Sequence, residues 1–287
     1  MPHVIRPTSD LGFKKILASD DHKTITQGFI ADVFGLQVSV NEIDIRNPYS
    51  IKAYEEHIKA EGVQQRLHQT LRDITISVNA VDVTVELQIC REISFVKRAY
   101  YYMADLYTSH YHQGFGDDRY ASLRPVWSVN ILGEPMFTCA HPWHMFTLHD
   151  TVLDEPLVPQ LARLGFFELS KMEEVSPQLT RWRNFLNSGV ADDTDPSYLQ
   201  EAASIISYVN LSRKERAMDK LLEKAIATRE AEMHCAMEEG RVEGARDARL
   251  ANAMAALRMG ISHADVAQIT GLDAATVDEL AQQMETA

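Results

Sequence analysis

The residues best suited to chemistry lie in one short stretch, LRDITISVNAVDVTVELQIC, residues 71–90. Read with the strand period of two, Ile74, Ile76 and Val78 share one face, and Asp73, Thr75 and Ser77 share the other. On the second strand Val83, Val85, Leu87 and Ile89 are the apolar set and Thr84, Glu86 and Gln88 the polar set. A tight turn centred on Asn79-Ala80 places Asp73 directly opposite Glu86, on the same side of the hairpin. Cross-strand partners of like charge sit with Cβ atoms about 5 Å apart and repel. Two readings of such a pair are open: a solvated acidic face, common on open antiparallel sheets, or a pair that holds a cation. Two carboxylates and a backbone carbonyl, completed by water and phosphate oxygen, suit Mg²⁺. Gln88, two residues beyond Glu86, projects to the same side, where its amide can orient a water.

An ordered set of segments surrounds this hairpin: DLGFKK at 10–15, LRDITISV at 71–78, VELQ at 85–88, FVKRAYYYMADLY at 95–107 and PVWSVNIL at 125–132. Together they resemble the PD-(D/E)XK nuclease superfamily, and in particular its Rpn branch of recombination-promoting nucleases and transposases. The resemblance spans about residues 5–185 and takes in the Gly-Ile-Ser…Thr-Gly-Leu tail. It implies a metal-dependent DNA endonuclease linked to transposition or recombination, with Mg²⁺ as cofactor, Mn²⁺ as its substitute and DNA as substrate. Carried over by residue, it makes Asp73 and Glu86 the metal-binding carboxylates and Gln88 the third member of the catalytic set. The superfamily's usual Lys is Gln88 here, and its Pro before the first Asp is replaced by Leu71-Arg72. An ammonium can stabilise the charge developing on phosphorus and lower the pKa of the attacking water, whereas an amide only positions that water. On this reasoning Gln88→Lys is expected to retain or raise activity.

Other residues are weaker candidates. Asp10 and Lys14 match the resemblance's N-terminal helix motif, where an acid completes the metal site and a Lys meets phosphate; the alternative is a helix start with Asp in its first turn and a solvated Lys. Arg98 sits one turn before Tyr101-Tyr102, where a guanidinium can neutralise a substrate phosphate. Tyr100, Tyr102 and Tyr107, at helical spacing, read as core packing. His141 and His144 have the spacing of some metal ligands, but Pro142 lies between them and they read as loop residues. There is no Gly-x-Ser-x-Gly elbow, Walker loop or dinucleotide-binding glycine fingerprint.

The elements that position these residues follow from periodicity. Asp10–Phe34 reads as one helix stopped by Gly35, Val38–Ile45 as a strand, Leu71–Val78 and Val81–Ile89 as a β-hairpin, and Ser94–His112 as an amphipathic helix with Ser94 as N-cap. Val126–Leu132 reads as a buried strand, and Met145–Leu148 and Gly165–Leu169 as two more. The turn-rich GVADDTDP at 189–196 reads as a linker, Ser212–Leu250 as a long charged helix, and Ala251–Met284 as three short helices broken at Gly260 and Gly271. The last of these, GISHADVAQITGLDAATVDEL, has helix-turn-helix spacing. Residues 251–287 as a whole hold only Arg258 against Asp265, Asp273, Asp278, Glu279 and Glu285, which favours packing or oligomerisation over reading DNA.

Composition limits the rest. With 28 Lys and Arg against 41 Asp and Glu the net charge is −13, carried mainly by residues 111–287. No apolar run is long enough to cross a membrane and no signal-like apolar segment opens the chain, so the cytoplasm is expected. Three scattered cysteines, Cys90, Cys139 and Cys235, argue against a disulfide framework. The expected architecture is α/β: a restriction-endonuclease-like core of mixed sheet flanked by helices over 1–190, an acidic linker and long charged helices over 191–249, and a helix-turn-helix-like tail over 250–287. A homo-oligomer through the C-terminal helices is expected, with no membrane partner. A catalytically silent binding or regulatory module of the same fold is the competing function.

Overall fold

A computed structural model of the chain describes residues 4–61, 74–89, 94–113 and 119–285. It divides into two units, Met1–Leu222 and Glu223–Ala287.

The first unit opens with α1 (Asp10–Leu17) and α2 (Lys23–Phe34). The sequence suggested one continuous helix here. The break comes at Ala18 and a single 3-10 turn at Asp20–His22, where Ser19, Asp20 and Asp21 offer the backbone local alternatives to helical bonding. The hydroxyl of Thr26 on α2 donates to the carbonyl of Leu17 at 3.0 Å, satisfying an acceptor left open where α1 ends. Gly35 ends α2 in the left-handed region, at φ 69°. The strand expected from Val38 is only β1 (Ile43–Ile45), because Ser39 and Glu42 close a capping box around a 3-10 turn first.

After α3 (Ile51–Glu61) come the hairpin strands β2 (Ile74–Val78) and β3 (Val81–Gln88), then α4 (Phe95–Gln113) and β4 (Val126–Leu132). The remaining strands are β5 (Trp143–Thr147), the two-residue pair β6 (His149–Asp150) and β7 (Glu155–Pro156), and β8 (Ala162–Glu168). Six strands of the described residues form one mixed sheet in the order β1-β2-β3-β4-β8-β5. The first three are antiparallel, β3, β4 and β8 run parallel, and β5 returns antiparallel on the edge.

Both sheet faces are covered. Val83, Val85, Trp127, Val129, Ile131 and Phe167 join the large core with Leu11, Phe29 and residues of α5 (Pro177–Ser188) and α6 (Ser197–Ile206). The opposite face packs Val126, Leu132, Leu164 and Phe166 beneath Phe95, Ala99 and Met103 of α4. The 189–196 segment joins α5 to α6 within the first unit, and Leu199, Ala202 and Ile206 of α6 are buried.

Helix α7 (Arg213–Arg258) runs from the first unit into the second and continues unbroken through Gly240 and Gly244. In the second unit α7 is followed by α8 (His263–Thr270) and α9 (Ala274–Glu285), which close on a small core of Ala253, Val266 and Val277. Gly260 and Gly271, at φ 78° and 66°, make the two breaks that the sequence placed there. No helix of the described residues is long and apolar enough to cross a membrane.

Candidate functional site

The hairpin register is the one expected: Ile74 pairs with Val85, Ile76 with Val83 and Val78 with Val81 across a turn at Asn79-Ala80. Asn79 takes φ 51°, a left-handed conformation that Asn tolerates better than most residues. Asp73 lies outside the described residues. Glu86 and Gln88 lie on the even-numbered face of β3. In the parallel ladder Glu86 pairs with Asn130, and Gln88 with Leu132, which in turn pairs with Glu168. Gln88, Leu132 and Glu168 thus mark the carboxyl ends of three adjacent parallel strands, where open α/β sheets carry their ligands.

The face is not the open, solvated one of an isolated hairpin. Glu86 is only 3% exposed. The cover is α4, tied to β3 at two points. Arg98 Nη2 donates to Gln88 Oε1 at 2.6 Å, and His110 Nε2 lies 2.6 Å from Asp82 Oδ2. Twelve helical residues span about 18 Å and six strand residues about 20 Å, so the two contacts fix α4 antiparallel along β3. Arg98 also lies over the ring of Phe95, 4.9 Å from its centroid, which orients the guanidinium toward the strand end.

Asp82, which sequence reasoning passed over, is the anchor at the far end of β3. It is fully buried and accepts from both Arg46 and Ser77 Oγ, with Arg124 Nη2 at 3.2 Å in addition to His110. Its oxygens are thereby engaged, and its role is to join the segment after β1, the hairpin, α4 and the approach to β4. Glu168 is a second buried carboxylate. Burial works against its charge, but the Lys171 ammonium at 2.5 Å and the N–H groups of Met136 and Phe137 outweigh it and hold its carboxyl below the usual range. His144 Nε2, on β5 rather than in a loop, is 3.3 Å from Glu168 Oε2 and 3.6 Å from the exposed Cys139 Sγ.

The other candidates fall in separate places. Asp10, in the first turn of α1, accepts from the Tyr54 hydroxyl at 2.6 Å and lies 3.5 Å from the Lys14 ammonium, so the two N-terminal candidates are paired with each other. Tyr100 does not pack in the core: it is 61% exposed, because the buried stripe of α4 runs through Phe95, Ala99, Met103 and His110 instead. Tyr107 does pack against that side of the sheet.

Among the described residues no group of three or more His, Cys, Asp or Glu side chains converges to hold a metal. The donor chemistry at the hairpin nonetheless suits a hard cation. Across the ladder from Glu86 stands Asn130, fully buried, whose Nδ2 donates to Gly165 O at 3.0 Å and contacts Ser128 Oγ at 3.3 Å, while its Oδ1 has no partner among the described residues. A buried acceptor left unmade costs about 1–3 kcal/mol. Carboxylate and amide oxygens, with no thiolate or imidazole among them, are ligands for Mg²⁺ or Mn²⁺ rather than Zn²⁺. Asn130 left a trace in the sequence, as the second of two polar residues in the otherwise apolar VWSVNIL.

Comparison with protein-family models matches residues 7–255 to the PD-(D/E)XK nuclease family transposases. The chain belongs to this family. Its mixed sheet flanked by helices, followed by C-terminal helices, is the α/β fold of PD-(D/E)XK nucleases. Comparison with curated proteins and with solved structures gives no match.

Proposed function

We propose that the protein is a divalent-metal-dependent endonuclease acting on DNA in the cytoplasm, of the Rpn branch, and that it serves recombination or transposition. Asp73 and Glu86 hold the cation, and Gln88 orients the attacking water. The observation that carries this reading is the burial of Glu86 one register step from the carboxyl edge of three parallel strands, beside a second oxygen donor, under a helix that presents Arg98 at the same edge.

When bound, Mg²⁺ supplies Lewis-acid polarisation of the phosphodiester and an activated water. The chain's own residues do the rest. Glu86 offers a carboxylate that need not be dehydrated at the moment of reaction, because folding has already removed it from water. The Gln88 oxygen is held by Arg98, which fixes the direction of the amide at the strand end where the water is to be oriented. Arg98 supplies near the phosphate the positive charge that a Lys at position 88 supplies elsewhere in the superfamily.

The second unit is proposed to join copies of the chain. Residues 234–248 of α7 are exposed throughout, with Met237 at 70% and Val242 at 61%, and the acidic tail is a poor partner for phosphate.

Purified full-length protein incubated with supercoiled plasmid in Mg²⁺, Mn²⁺ or EDTA tests the reading. Cleavage is expected with either metal and none with EDTA. Asp73→Ala and Glu86→Ala should each lower it by orders of magnitude while the thermal melt is retained. Cutting by both variants at the wild-type rate would refute the assignment.

A further inference from the structure

We infer that Asn130 supplies a further oxygen donor to the cation bound at Glu86, so that the binding site extends across β4 and is not confined to the hairpin. The inference rests on the reading of Glu86 as a metal ligand.

Three features of Asn130 point this way. The first is position. The parallel ladder pairs Asn130 with Glu86, and adjacent strands lie about 4.8 Å apart. Even-numbered residues of both strands face the α4 side, as shown by Val126 and Leu132 packing beneath Phe95 and Ala99. The two side chains are therefore neighbours on one face.

The second is direction. The amide cannot be turned over, because Gly165 O on β8 needs the Nδ2 donor that it receives at 3.0 Å. With the nitrogen arm committed toward β8, the oxygen arm is turned to the opposite side, toward β3 and Glu86.

The third is the unmet acceptor. Asn130 is 0% exposed and its Oδ1 has no partner among the described residues, although buried acceptors in folded proteins are nearly always satisfied. A residue required only for its bond to Gly165 would not need an oxygen at that point, and Val126 and Leu132, on the same face of the strand, show what ordinary packing there uses. Beside a carboxylate, an amide oxygen gains from a positive partner. A hard cation with its bound waters accepts such oxygens readily.

The test measures metal binding to the full-length protein, without DNA, by Mn²⁺ titration calorimetry and by the rise in melting temperature on adding Mn²⁺. Four proteins are compared: wild type, Glu86→Gln, Asn130→Ala and Asn130→Asp. Wild type should bind and Glu86→Gln should lose binding. Asn130→Ala should bind about tenfold more weakly, in the range seen when groups supporting a metal site are removed. Asn130→Asp places a second carboxylate beside Glu86, so it should melt lower than wild type without metal and recover a larger part of its stability when Mn²⁺ is added. If Glu86→Gln loses binding but both Asn130 variants bind as wild type does, Asn130 is no donor and the inference falls while the hairpin reading stands. Equal losses of stability with and without Mn²⁺ would likewise overturn it, by showing a purely structural role. If Asn130→Asp does not fold, the affinity of Asn130→Ala decides alone. Wild-type binding retained in Glu86→Gln would remove the hairpin reading, and this inference with it.

Discussion

Placing Lys at position 88, the residue usual in the superfamily, should harm this protein rather than help it. On sequence alone the change adds a useful cation. In the structure the side chain at 88 receives the Arg98 guanidinium at 2.6 Å. Gln88→Lys replaces an acceptor by a donor and brings two positive charges together. Two unit charges about 4 Å apart at an effective dielectric near 20 repel by about 4 kcal/mol, and a hydrogen bond to a charged group worth about 1.5–3 kcal/mol is lost. Both side chains are half-buried and Lys is flexible, so much of the repulsion is relieved by swinging outward. A net loss of about 2 kcal/mol remains, which lowers the melting temperature by roughly 4–8 °C in a domain of this size. Cleavage should fall with it, because the displaced Arg98 no longer faces the phosphate. The decisive assay is a double-mutant cycle with Arg98→Gln, read by thermal melts and by plasmid nicking. In the Arg98→Gln background the Lys meets an amide oxygen instead of a guanidinium, so the combined variant should be more stable than the sum of the single changes by about 2 kcal/mol. If Gln88→Lys is as stable and active as wild type and shows no coupling to Arg98, the role given to the Arg98–Gln88 contact is wrong.

Three further outcomes follow from other contacts. Asp82→Ala strips the shared acceptor from Arg46, Ser77, His110 and Arg124 and should cost about 3–5 kcal/mol, visible as a melting temperature lowered by roughly 10 °C; a shift of under about 2 °C would show that the cluster contributes little. Glu215 accepts from Lys15 at 2.5 Å and from the Ser212 N–H, and although burial opposes its charge these donors hold its carboxyl below the ordinary 4.5. A depressed carboxylate adds stability that is complete above its unfolded value and fades as pH falls through its folded value, so Glu215→Gln should flatten the stability profile below about pH 4.5; an unchanged acid limb would contradict this. Deleting residues 251–287 should alter the mass in solution more than the affinity for DNA at low salt, and the reverse result would make the tail a DNA reader.

How far this site is legible in the sequence depends on which interactions are local. The hairpin is local: the alternation of Ile74, Ile76, Val78 with Thr75 and Ser77, and a turn residue that tolerates positive φ, determine register and facing without any knowledge of the rest. The break at Ala18–His22 escapes the periodicity because Leu11, Ile16, Ile25, Phe29, Ile30 and Val33 keep broadly helical spacing across it, and only the Ser-Asp-Asp run between them signals the interruption. What lies outside the reach of period and spacing is the burial of the hairpin's polar face. A strand reading Asp82, Thr84, Glu86, Gln88 on one side has the pattern of a solvated surface, yet three of the four are at most 9% exposed. That face can be buried only because α4 brings a partner to each end, His110 to Asp82 and Arg98 to Gln88, from positions 28 and 10 residues away. Neither pairing has a spacing rule. The same non-local step changes the meaning of Gln88. As an isolated residue it is a weakened Lys; beside Arg98 it is the acceptor that makes a second cation at the strand end possible, because an ammonium in its place would drive the guanidinium away. On the proposed reading of this site, a Gln at 88 is therefore one half of a two-residue arrangement, and the other half, Arg98, lies on the next helix.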